Sequence, residues 1–193
     1  MALDVNTLKS EFLKVIDSTD PGFVGYPATT NQAAINWATA YNTYATAAVD
    51  LSSDVLISAN FPGFISQLNN GLIPVGTIAT AAAAFEAAFV AYWTGAVFAV
   101  GIPPVPIGPC PNIGGTLVFG LEITSVVSAI MPNVLNGLLL GEFGILSADA
   151  TAKATSLAAA FHTATTTAVF VTIAGTDTTV PTPLPITNTC NIH

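Results

Sequence analysis

With 193 residues, 52% of them hydrophobic, the chain has the length of one domain and enough apolar side chain for a sizeable core, which excludes a disordered polypeptide. Only 7% of the residues are charged, against roughly 25% in an ordinary soluble domain, so much of the surface is predicted to lie hidden against neighbours or lipid. The net charge of −8, the absence of Arg and the lack of any Lys between Lys14 and Lys153 exclude nucleic-acid binding, which needs cations to neutralise phosphates.

In chain order, residues 3–17 read as a short amphipathic helix. Leu8, Phe12, Val15 and Ile16 fall on one face, and Asp4 or Asn6 serves as N-cap. Residues 18–29 are a loop, marked by Asp20-Pro21-Gly22 and Pro27. Residues 30–49 form the clearest helix, capped by Thr30, with Ala33, Trp37, Ala40, Tyr41, Tyr44, Ala45 and Ala48 recurring at three and four. A shorter helix is predicted at 54–58. Pro62-Gly63 then breaks the chain, 64–68 is an apolar turn, and Asn69-Asn70-Gly71 with Pro74 marks a loop. Residues 77–98 form a long Ala-rich helix carrying Phe85, Phe89, Tyr92 and Trp93 at helical spacing.

Residues 102–111 hold five prolines in ten residues and must be extended. Residues 116–131 are apolar and β-branched; they are a buried helix or two strands, since periodicity does not decide between them. Residues 133–140 continue past Pro132. Ser147 caps a last helix at 148–166, and the β-branched run 165–173 favours a short strand. The fold class is therefore mainly α: a helical domain with extended Pro-rich arms and a short C-terminal strand. Residues 1–175 form this single domain, with an internal strap at 102–111, and 176–193 form an extended Thr/Pro-rich tail. Both Pro-rich segments are predicted to contact neighbouring subunits rather than join the core, because proline forbids helix and removes sheet donors.

Catalytic, cofactor-binding and metal sites are not found. His162 has no G-x-S-x-G elbow to serve and is read as structural. Glu86, Glu122 and Glu142 are single acids in apolar surroundings, polar groups at an interface or a helix end rather than a glycosidase pair. Two Cys and two His lack metal-ligand spacing, and no Walker sequence is present. No cofactor and no small-molecule substrate is expected. Trp37, Tyr41, Phe85, Phe89, Trp93 and Phe161 are predicted to share one core or one subunit interface. Cys110 and Cys190 each lie in a Pro-rich segment; they are two free thiols or a disulfide, within the chain or between subunits. Residues 87–121 carry no charge, but Glu86 and the prolines from Pro103 onward leave a helical part of about 15–20 residues, mostly Ala, against the ~20 a bilayer needs. This argues against a membrane span.

Three stretches carry a resemblance: TLKSEFLKVIDSTDPGFVGYPATTNQAAINWATAYNTYATAAV, AAAAFEAAFVAYWTG, and ATAKATSLAAAFHTATTTAVFVTI with its Thr-Pro tail. In arrangement and composition the chain resembles the small Ala/Thr-rich virion structural proteins of tailed bacteriophages. The resemblance implies a non-enzymatic subunit present in multiple copies in head, neck, tail or baseplate, assembled in the host cytoplasm, whose partners are copies of itself and other virion proteins. It assigns no functional residue. A membrane-inserting helical protein and a secreted, filament-forming surface protein are the alternatives.

Overall fold

The computed structural model describes residues 3–50, 54–72, 77–98, 105–107, 118–177 and 184–193. Helix α1 (Val5–Ile16) begins where the Asp4 carboxylate accepts the Asn6 N–H, and it buries Leu8 and Phe12. Helix α2 (Thr30–Ala45) is capped by Thr29 rather than Thr30, its hydroxyl accepting the Gln32 N–H. Helix α4 (Ile78–Trp93) is capped by Thr77, and α6 (Ala150–Ala168) by Asp149 rather than Ser147. Small oxygen-bearing side chains in extended backbone thus open all four, satisfying N–H groups that the first turn leaves orphaned.

Three short elements differ from expectation. The helix predicted over 77–98 ends at Trp93, and residues 97–98 are strand. Residues 56–58 are not helical but form strand β1 (Leu56–Ser58). The supposed break and loop at 62–71 lie inside helix α3 (Phe61–Leu72). Pro62 sits in the first turn, where its missing N–H costs nothing, and Asn60 Oδ1 accepts the Gly63 N–H at 2.9 Å. Gly71 is needed: a Cβ there would lie 2.4 Å from Ala84 Cβ, so the α3–α4 approach depends on having no side chain.

The remaining chain builds an antiparallel sheet from β1, β2 (Val97–Phe98), β3 (Val105–Ile107), β4 (Val118–Ile130), β5 (Val169–Asp177) and β6 (Leu184–Asn191). The order is β1-β2-β4-β5-β6, with β3 on β4. The 116–131 region is therefore neither a helix nor two strands. It is one long strand, irregular between Glu122 and Thr124 and between Val127 and Ala129. Between β4 and α6 lies helix α5 (Val134–Gly144). Phe98, Val127, Val169, Val171, Ile173, Cys190 and Ile192 join the helices in one buried cluster, so the helices cover one face of the sheet.

The C-terminal expectations need two corrections. Thr165, Thr166 and Thr167 are helical, not strand, and each hydroxyl bonds back to the carbonyl four residues earlier. The strand starts only at Val169. The tail is not an arm over 184–193: β6 pairs with β5 from Asp177↔Leu184 to Phe170↔Asn191, and His193 exchanges two backbone hydrogen bonds with Val49. The boundary expected after residue 175 falls inside β5. In the 102–111 strap, residues 105–107 pair with 118–120 of the same chain; its remainder, including Cys110, lies outside the described residues, so the disulfide alternative lies there too. Among the described residues no helix is long and apolar enough to cross a membrane.

Candidate functional site

The six aromatic residues singled out in the sequence converge. Tyr41, Phe85, Phe89, Trp93 and Phe161 are buried, and Trp37 packs half-buried against them. Tyr41 is the hub, with ring centroids 5.5 Å from Phe64, 5.3 Å from Tyr92 and 5.4 Å from Phe161. Trp37 meets Phe12 and Phe85 edge-on at 5.1 and 5.3 Å, the geometry ring quadrupoles favour.

A directed hydrogen-bond chain runs through this core. Thr165 Oγ1 donates to the Phe161 carbonyl at 2.7 Å, so its proton is committed. The Tyr41 hydroxyl, 2.7 Å from Thr165 Oγ1, must then donate to it. Indole Nε1–H can only donate, and Trp93 gives it to the Tyr41 oxygen at 2.8 Å. The order Trp93→Tyr41→Thr165→Phe161 leaves no donor in this chain unsatisfied. Burial pushes the Tyr41 phenol well above its ordinary range. The neighbouring Tyr44 and Tyr92 phenols rise for the same reason, and Tyr92 donates to Asn42 Oδ1 at 2.8 Å.

His162 lies 2.6 Å through Nδ1 from the Tyr44 hydroxyl. Burial lowers the imidazole pKa, and the Asp4 carboxylate opposes that shift. A neutral phenol donating to Nδ1 places the imidazole proton on Nε2. The pair is thereby a tie between α2 and α6. Asp50, which no pattern along the chain singles out, is fully buried. It accepts the Asp54 N–H and the Ser125 hydroxyl, joining the turn before β1 to β4. Among the described residues no group of three or more His, Cys, Asp or Glu could hold a metal ion.

Helix α5 is held from outside. Its N-cap, Asn133, has left-handed backbone (φ 64°) and makes no side-chain cap bond. Glu86 of α4 supplies the cap instead: Oε1 accepts the Asn133 N–H at 2.8 Å and Oε2 the Asn136 N–H at 2.9 Å. These are the two donors that a capping box satisfies from within a helix. At the other end Lys153 of α6 donates to the Glu142 and Ile145 carbonyls at 2.6 and 2.8 Å. Each charge also has the sign that the helix dipole favours at that end. Glu122 belongs to β4 and takes no part in this cap.

The outer face of α5 is open. Leu135 and Leu139 are buried, while Gly137, Leu140, Gly141 and Gly144 on the opposite side are exposed. Beside them Met131 is 48%, Ile145 59% and Leu146 100% exposed. A Cβ at any of the three glycines would meet nothing within 4 Å. Packing inside this chain therefore does not call for glycine there, although each costs about 0.5–1 kcal/mol relative to Ala in a helix. No family model, curated protein or solved structure matches this chain. Its own residues present a closed aromatic core and, among their exposed apolar groups, those of α5 and the residues after it.

Proposed function

We propose that this chain is a structural subunit of a phage particle, acting by subunit packing and not by catalysis, with copies of itself and other virion proteins as partners. One observation carries the reading: α5 exposes Leu140 among Gly137, Gly141 and Gly144 on its outward side, and the exposed Ile145 and Leu146 follow directly after it. Apolar residues left exposed together along one element mark a contact surface. The surroundings favour the same reading. Two of the three cations are engaged within the chain, Lys14 with Glu11 and Lys153 with carbonyls, and residues 131–141 carry no charge. The filament alternative loses its motive, because the tail that would form a stalk is a sheet strand over 184–191.

Sedimentation velocity tests the role of this face. Wild-type protein is expected to associate with increasing concentration, whereas Leu140→Glu/Leu146→Glu should remain monomeric with an unchanged circular dichroism spectrum. Equal association of both proteins would remove α5 from the contact.

A further inference from the structure

We propose that α5 is a conditional helix: it is held folded by one carboxylate and one ammonium from its neighbours, Glu86 and Lys153, and it opens locally, as a unit, when either is lost. The observations begin with the helix itself. Its 11 residues fall short of the ~12–15 at which isolated helices become even marginal in water. Gly137, Gly141 and Gly144 lower its propensity further, and no packing contact offsets them, since a side chain at each would meet open space. Asn133 gives no side-chain cap. What satisfies the ends comes from α4 and α6: two N–H groups on Glu86 and two carbonyls on Lys153. Apart from these ties, the inward hold is apolar, through Leu135 and Leu139 with Val134, Leu138 and Phe143.

Removing either charge strands terminal groups of the helix at a part-buried position, and the short helix has no reserve of propensity to absorb the loss. The rest of the fold does not share this dependence. Helices α2, α4 and α6 carry their own caps, and β5 is paired on both sides. Opening would add Leu135 and Leu139 to the apolar surface already formed by Leu140, Ile145 and Leu146. The use of that opening in subunit contact rests on the assembly reading above; the clamp itself does not.

Hydrogen exchange of the full chain, read by mass spectrometry at neutral pH, tests the clamp without reference to assembly. In Glu86→Gln and in Lys153→Met, peptides from 135–144 are expected to exchange at least roughly tenfold faster than in wild type, while peptides from α2 and β5 keep their protection, as a local opening requires. Unchanged α5 protection in either variant would overturn the proposal, as would an equal loss of protection along the whole chain. Should a variant fail to fold, wild-type exchange in graded, sub-denaturing guanidinium decides. The α5 amides must open before those of α2 and β5, and exchange of all three through one common unfolding would overturn the proposal.

Discussion

Thr165 does one job that Thr166 and Thr167 do not. Like theirs, its hydroxyl bonds back to the helix carbonyl four residues earlier, but it also receives the Tyr41 proton, fixing the direction of a chain that begins at Trp93. Tyr41→Phe would leave the Trp93 N–H buried without its acceptor, so a loss of about 1–3 kcal/mol is expected, measured by guanidinium unfolding. Thr165→Val should cost less once Tyr41 is already Phe, and a double-mutant cycle reads that coupling. His162 supplies the pH dependence at this scale. Its folded pKa is lowered by burial, so below the unfolded value of 6.5 the unfolded chain binds the proton more readily. The contribution is therefore intact above that value and is lost as pH falls below it toward the folded pKa. A thermal melt series from pH 7.5 to 5 should show Tm falling over this range, and His162→Gln should flatten that part of the slope. None of these pairs was legible beforehand: Tyr41 and Thr165 are 124 residues apart, and spacing along the chain carries no information about such partners.

Elements were legible where local rules act alone. Three-and-four spacing placed α1, α2, α4 and α6 to within a few residues, because their caps and apolar faces are encoded nearby. The failures cluster where proline and glycine were read as breaks. Pro62 occupies a helix first turn. Pro106 and Pro185 lie in β3 and β6, and among the described residues β6 ends the sheet order, an edge position that tolerates proline. β4 escaped because a buried helix and a buried strand both read as apolar runs that periodicity does not separate. The tail makes this difference measurable. Deleting 184–193 removes β6, uncovers Val171 and Ile173, and discards the buried Cys190 and Ile192. The shortened chain is expected to lose its cooperative melt by circular dichroism. A truncated chain that melted like the full one would mean that the tail contributes nothing to the fold.

At the scale of the whole molecule, the charge deficit takes a definite form. The interior is closed by aromatic packing and by the hydrogen-bonded Tyr41, Trp93 and Asp50, and part of the exposed apolar surface, Leu140, Ile145 and Leu146, falls on α5 and the residues that follow it. Composition alone pointed to hidden surface but could not locate it, since α5 has no amphipathic pattern to mark which side faces outward; the burial of Leu135 and Leu139 against α4 and α6 decides that. The most direct measurement of the assembly role is quantitative mass spectrometry of purified phage particles from the source of this sequence. The account predicts the chain in a fixed, multi-copy ratio to the major capsid protein, retained through density-gradient purification. Its absence from particles, while the protein is abundant in the producing cells, would contradict it.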